Sequence, residues 1–321
     1  MKRSFIRFGK LVRVAVCILL GCLAFPRLGI SQVIDGLAEQ GKSVLKDAGF
    51  TPEMVPRFQE KAEKGEARAQ YILGWLYFLG MGREKNNDKA LLWMKRAAEQ
   101  NYQSARGTIG LMYLSARDIP NNYALAKVWL LRGAELNKAE AWNGLGVIYF
   151  QGLGVEANGE EAVRCFRKAS ELGYDKAQTN LGSLYYEGKL VPQDFKEAAK
   201  YFQLAAVQNN VRATYNLGVL YRDGSGVPQD YNEAFRLFLK GAEQHQYPVA
   251  QYNLGAAYYE GKGIQRDLVL AYLWVSLALN QGFKPHKNLI EILAAKMTPE
   301  QIAEAKDKAQ VWTKAREKLT Q

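Results

Sequence analysis

The chain has 321 residues, of which 48% are hydrophobic and 23% charged, and its formal net charge is +11. That is too apolar for a disordered polymer and long enough for one large domain or two ordinary ones. Six cations (Lys2, Arg3, Arg7, Lys10, Arg13, Arg27) stand in the first 31 residues, where no acid occurs, so the rest carries only +5, mixed along the chain. This excludes the concentrated basic stripe that nucleic-acid binding requires.

In chain order, MKRSFIRFGKLVR is a basic segment, and Val14 to Phe25 is an apolar run short for a membrane span and suited to a signal peptide. Residues 1–31 are therefore expected to be a leader, with Gly29 and Ser31 allowing cleavage before Gln32. Alternatively, Leu19, Leu20, Gly21 and Cys22 approximate a lipoprotein box, and Cys22 carries a lipid that tethers the chain to a membrane. A retained anchor is the third option and needs Arg13 in or beside the bilayer. Periplasmic or secreted localisation follows from cleavage, and lipid-anchored localisation from acylation. After cleavage Cys165 stands alone, which excludes an intramolecular disulfide. Residues 32–61 are expected to form N-terminal capping helices, with a helix start at Thr51, Pro52 and Glu53.

From residue 62 one unit recurs. Gly74, Gly110, Gly146, Gly182, Gly218 and Gly255 are spaced by 36, 36, 36, 36 and 37 residues. Leucine or isoleucine precedes each, tyrosine follows three residues later (Tyr77 to Tyr258), and alanine lies five residues before. At about 100° per residue these positions share one side of a helix. Glycine in a helix costs roughly 1 kcal/mol against alanine, so six such glycines imply that another helix approaches closely. Turn glycines follow at Gly80, Gly152, Gly188, Gly224 and Gly261, although the second repeat, with Ser115 to Asn121, lacks them. A column of Asn86, Asn122, Asn158, Asp194, Asp230 and Asp267 marks the next helix start, and Glu161, Glu197 and Glu233 are expected to complete capping boxes. That helix ends at Gly65, Asn101, Asn137, Gly173, Asn209 and Gly282, with His245 in the corresponding place of one unit.

The expected fold is thus all-α, a right-handed α-solenoid of helix-turn-helix repeats of about 36 residues, because neither helix of a pair can bury its apolar stripe alone. Six repeats are expected at 62–97, 98–133, 134–169, 170–205, 206–241 and 242–278. Residues 279–321 are expected to form C-terminal capping helices, the last opened by Thr298, Pro299, Glu300 and Gln301.

Segments such as AQTNLGSLYYEGKLVPQDFKEAAKYFQLAA (177–206) and ATYNLGVLYRDGSGVPQDYNEAFRLF (213–238) resemble the Sel-one-like repeats (SLR), a branch of the tetratricopeptide superfamily, and the resemblance covers residues 62–278. MTPEQIAEAK (297–306) is similar to C-terminal helices of such proteins. The resemblance implies a protein-interaction scaffold, found in members with leaders as a bacterial envelope or secreted protein or an endoplasmic-reticulum adaptor. One subgroup ties each helix pair with cysteines and is linked to β-lactam binding. This chain has no paired cysteines in any repeat, so that activity is not carried over.

In a tetratricopeptide-like superhelix the first helices line the concave surface. Two residues before the glycine stand Asn180, Asn216 and Asn253, and five after it Glu187, Asp223 and Glu260, within roughly 20° of each other on the helix surface. Beside this stripe are Tyr186, Tyr215, Tyr252, Tyr259 and Arg222, with Arg106, Trp142 and Phe150 further towards the N-terminus. The asparagines are expected either to pair with the backbone of a bound protein or peptide, since an amide donates and accepts, or to brace neighbouring repeats.

Candidates for catalysis are few. His245 reads as a turn residue and His286 as a surface residue, and Cys165 shares the column of Trp93, Trp129, Tyr201 and Trp274, where burial makes a thiol unreactive. GLGVEANGEE (152–161) and GSGVPQD (224–230) lack the strand and the Lys-Ser or Lys-Thr of a phosphate loop. No catalytic residue, metal site or cofactor is therefore expected, and the partner is a protein or peptide bound by a monomer. The alternative is a peptidoglycan- or glycan-binding or -cleaving protein that uses concave-face carboxylates. A third option is a purely structural role in an envelope complex.

Overall fold

A computed structural model describes residues 30–115, 122–244, 246–285 and 288–320. Residues 1–29 of the expected leader, with Cys17 and Cys22, and both histidines, His245 and His286, lie outside the described residues, while Ser31 is already helical. Among the described residues every regular element is helical. The helices are α1 (Ile30–Asp47), α2 (Val55–Glu63), α3 (Ala67–Leu79), α4 (Asn87–Glu99), α5 (Gln103–Ser115), α6 (Tyr123–Ala134), α7 (Ala139–Gln151), α8 (Gly159–Glu171) and α9 (Asp175–Glu187). They continue as α10 (Phe195–Ala206), α11 (Val211–Asp223), α12 (Tyr231–Gln244), α13 (Pro248–Glu260), α14 (Leu268–Asn280), α15 (Leu289–Ala294) and α16 (Pro299–Thr320).

Two compact units divide the chain between Gln193 and Asp194. In the N-terminal unit α3 pairs with α4, α5 with α6 and α7 with α8, and each pair packs on the next. In the C-terminal unit α11 pairs with α12 and α13 with α14. The helix-pair architecture of an α-solenoid, expected from the 36-residue period, is the fold of the chain.

Close helix approach explains the glycine column. A Cβ at Gly74 would lie 2.8 Å from Met94 Cγ, at Gly146 2.5 Å from the Phe166 ring, and at Gly255 2.7 Å from Val275 Cγ2. The obstructing residue stands 20 positions later each time, on the second helix of the same pair. Burying one such Met, Phe or Val contributes about 1.5–3 kcal/mol.

The turns show why asparagine and aspartate recur. The side chains of Asn86, Asn122, Asn158, Asp194 and Asp267 each accept a first-turn N–H, and Asp230 accepts from the N–H groups of Asn232 and Glu233. One expectation is corrected here. Glu161, Glu197 and Glu233 do not close capping boxes but turn forward onto Arg164, Lys200 and Arg236. For Asn158 and Asp230 the reason is that the cap's own N–H already donates to the carbonyl of a column tyrosine, Tyr149 or Tyr221, at 2.9 Å. Asn86 and Asp267 are held in the same way by Tyr77 and Tyr258.

Two residues after the turn glycines Gly224 and Gly261, glycine is required by both conformation and space. Gly226 has φ 74° and Gly263 φ 76°. A Cβ there would fall 2.1 Å from Phe195 O and 2.0 Å from Tyr231 O, at the start of the preceding repeat's second helix. After the second helices, Asn101, Asn137 and Asn209 take φ of 60°, 53° and 63°, and in one unit Gln246 does so at 49°.

The two ends differ. At the C-terminus Thr298 and Gln301 exchange hydrogen bonds of 3.0 and 3.3 Å, opening α16, which packs on α14 with the Trp274 and Trp312 rings 5.7 Å apart. At the N-terminus α2 packs beside α3 as an end cap. Helix α1, grouped with it by sequence, lies instead against α5 and α3, along the first helices of the repeats. Its Val33, Leu37 and Leu45 are buried.

Candidate partner-binding face

The stripe two residues before and five after each repeat glycine changes character along the chain. In repeats one to three it reads Ile72, Thr108 and Gly144, then Leu79, Ser115 and Gln151. Here α1 is seated. A Cβ at Gly41 of α1 would lie 2.4 Å from Trp75 Cε3 and 3.0 Å from Leu79 Cδ1, so the helix touches α3 through a bare backbone position. Gly36 does the same above Lys176 and Tyr174, where a Cβ would lie 3.0 Å from Lys176 Nζ and 3.2 Å from Tyr174 OH. Lys176 also pairs with Glu39 of α1. Burial pushes the Tyr174 phenol up, keeping it protonated. An apolar stripe on α1, two glycine contacts and one ion pair thus dock a helix onto the first-helix face.

Repeat four carries the polar version of the stripe. Asn180 is 0% exposed, donates from Nδ2 to Asn143 Oδ1 at 2.8 Å, and keeps a buried Oδ1 without a partner. Glu187 pairs with Lys189 at 2.6 Å. Tyr186 is buried, and its carbonyl accepts from Gln193 Nε2 at 2.7 Å.

In the C-terminal unit the stripe is a hydrogen-bonded row. Arg222 grips Asp223 through Nε (2.8 Å) and Nη2 (3.0 Å) and donates from Nη1 to Asn253 Oδ1 at 2.9 Å. Asn253 Nδ2 donates to Val249 O at 2.8 Å and to Tyr215 OH at 3.3 Å. Asn216, one repeat earlier, is 1% exposed, and neither atom of its amide has a partner. Lys262 pairs with the exposed Glu260 at 2.7 Å, and that bond raises the lysine's pKa.

The residues singled out in sequence therefore separate into two layers. Asn180, Asn216, Asn253, Tyr186, Tyr215 and Tyr252 are buried. Tyr215 packs against Phe238 and Tyr247, and Tyr252 against Phe283, so these rings offer little or no area to a partner. Glu187, Arg222, Asp223 and Tyr259 are half-buried, and Glu260 is exposed. Further towards the N-terminus Arg106, Trp142 and Phe150 are also half-buried, and Arg106 donates to Asn101 Oδ1 at 2.8 Å. Sequence reasoning missed the two glutamine pairs that tie the start of the first helix to the end of the second within one repeat, Gln100 to Gln70 and Gln281 to Gln251, each at 2.8 Å. Their spacing of 30 residues departs from the period of the glycines that revealed the repeat.

Chemically, this face offers a clamped guanidinium and carboxylates above buried amides, a set suited to recognition. Cys165 is fully buried, and burial raises its thiol to about 11. Among the described residues no three His, Cys, Asp or Glu side chains are grouped to hold a metal, and no helix is long and apolar enough to cross a membrane.

The Sel1 repeat profile matches residues 67–102, 107–138, 139–174, 175–210, 211–245 and 248–283, so its segments begin near the first residue of each first helix. Among solved structures, the chain is similar to a protective antigen of uropathogenic Escherichia coli with an SLR fold. The two are 32% identical over 80% of this chain and 56% of that one, with a TM-score of 0.66. It is also similar to a Sel1 repeat protein from Oxalobacter formigenes, with 28% identity over 75% of this chain and 96% of the other and a TM-score of 0.63. The chain thus spans little more than half the length of the E. coli antigen. No curated protein matches it.

Proposed function

The chain belongs to the Sel1 repeat family, whose members generally serve as protein-interaction scaffolds, and from that premise we propose that it binds a segment of a partner protein along the first helices of its repeats. The observation that carries this reading is α1. In the N-terminal unit the first-helix face already accepts a helix, through Trp75, Leu79, Tyr174 and Lys176. In the C-terminal unit the same register presents Arg222, Asp223, Glu260 and Lys262 above a buried amide row. There the charged rim selects the partner's charge, and the asparagines hold the helices that carry it.

We also propose that the chain acts outside the cytoplasm, in the periplasm or as a secreted protein, after removal of residues 1–31. The basic and apolar halves of that segment support this, and the similar E. coli protein is a protective antigen. Acylation at Cys22 is the alternative that fractionation separates.

Capture from the native host with the full chain tests the binding face. Reversing the rim with Arg222→Glu and Glu260→Lys is expected to lose the captured protein, while circular dichroism stays unchanged. The triple replacement of Asn180, Asn216 and Asn253 by alanine is expected to lower stability as well as capture. A rim-reversed protein that is folded and captures the same partner undiminished removes this face from the function. For localisation, deleting residues 1–31 is expected to retain the chain in the cytoplasm, and Cys22→Ala to leave its release unchanged.

A further inference from the structure

We propose that the outer face of α6 is a second docking site, taken by an acidic amphipathic helix of a partner protein. This site does not involve the first-helix face.

Fifteen and eighteen residues after the repeat glycine, the second helices carry an ion pair in repeats three, four and five: Glu161–Arg164, Glu197–Lys200 and Glu233–Arg236. A charged pair at this register is an ordinary solvated face. In repeats two and six the pair is apolar instead, Leu125 and Val128 on α6 and Leu270 and Leu273 on α14.

In repeat six the structure shows what such a pair is for. Helix α16 lies on α14, with Ala309 and Trp312 packed around Leu273 and Trp274, and Leu273 is left 6% exposed. Glu300, Glu304 and Asp307 of α16 line the groove between the two helices. Among the described residues, no helix covers the pair in repeat two in this way. Leu125, Val128 and Leu131 are 39%, 45% and 41% exposed, and at about 100° per residue they fall within roughly 120° of one another on one face of α6. Leu92, which holds the register of Val128 on α4, is exposed as well.

Charge decides the kind of helix. Helix α6 contains Lys127 and Arg132 and no acid. Arg132 lies within the apolar arc and is held over the Trp129 ring, 4.7 Å from its centroid. On α4, Arg96 is held over Trp93 at 4.6 Å and Lys95 over Tyr113 at 5.4 Å. The acid that would neutralise this register in the later repeats is replaced by Lys89 in repeat one and Leu125 in repeat two. The matching partner presents small or aromatic residues at i, i+4 and i+7, as Ala305, Ala309 and Trp312 do on α16, with carboxylates beside them.

Two labelled synthetic helices with this same apolar stripe, one flanked by glutamates and one by lysines, titrated into the full chain by fluorescence anisotropy, test the assignment. The glutamate-flanked helix is expected to bind more tightly than the lysine-flanked one, and more weakly as salt rises. Leu125→Glu with Val128→Glu is expected to raise its Kd about tenfold or more, and Arg132→Glu to raise it by less. Should the glutamate pair unfold the repeat, Leu125→Ala with Val128→Ala is expected to weaken binding in the same direction. Equal binding of the two peptides, binding unaffected by both double variants, or no saturable binding overturns the proposal. So does a wild-type dimer that the substitutions dissociate, which would assign the face to a second copy of the chain.

Discussion

The first-helix stripe of repeats one to three and that of repeats five and six occupy the same register and solve opposite problems. The former is built of Ile72, Thr108, Gly144 and Leu79 and lies beside a helix of the chain itself. The latter is built of Asn216, Asn253, Asp223 and Glu260 and ends in charged side chains at the surface. One repeat scaffold therefore carries an apolar seat for α1 in one unit and a hydrogen-bonded polar row in the other. The period fixes where side chains stand, while a handful of positions per repeat decides what they pack against.

The sharpest way to break the first of these regions is to remove its anchor. Trp75 is fully buried beneath α1, with the Tyr71 and Phe78 rings against it. Trp75→Ala is expected to cost about 3–5 kcal/mol, read by urea denaturation of the full chain. A gentler break leaves the repeats intact and expels α1. With a Cβ at Gly41 only 2.4 Å from the Trp75 ring, Gly41→Val is expected to cost about 1–3 kcal/mol by overpacking. Its signature is local: faster proteolysis between residues 30 and 50 and a red shift in tryptophan emission, with unchanged helix content after α2. Proteolysis no faster than wild type would mean that α1 is not held through this contact.

In the second region the comparable step is Asn253→Leu. It withdraws the acceptor used by Arg222 Nη1 and the donor that reaches Tyr215 OH and Val249 O. Leaving buried polar groups without these partners costs about 1–3 kcal/mol, and the loss should appear in the C-terminal unit, by hydrogen exchange over α11 and α13.

How far the sequence reaches can be judged from these same residues. The glycine column and the Asn/Asp column locate every helix pair, because both report local demands: a bare contact point and a capped first turn. Helix α1 is legible as amphipathic from Val33, Leu37 and Leu45, but nothing in a single unrepeated helix says which surface its apolar side meets. The burial of Asn180 and Asn216 is equally hidden. A helical wheel gives a side chain's direction on its own helix and not what the neighbouring helix puts in front of it. The capping glutamates mislead for a similar reason, since the spacing of Asn158 and Glu161 suits a reciprocal cap, whereas Tyr149 O takes the N–H first and Arg164 takes the carboxylate.

The smallest expected effect is the most discriminating. Asn216 and Asn253 are the same residue type in the same column, both buried, but Asn216 has neither amide atom bonded. An unbonded buried amide carries its desolvation cost without return, so replacing it by an apolar group of similar shape removes a penalty. Asn216→Leu is therefore expected to leave stability within about 1 kcal/mol of wild type or to raise it, in contrast to Asn253→Leu in the same unit. If both substitutions destabilise equally, Asn216 is bonded in solution and the row runs unbroken through the unit. If only Asn253→Leu destabilises, the hydrogen-bonded part of the polar row begins at Arg222 and Asn253, and tests of the proposed binding face belong there first.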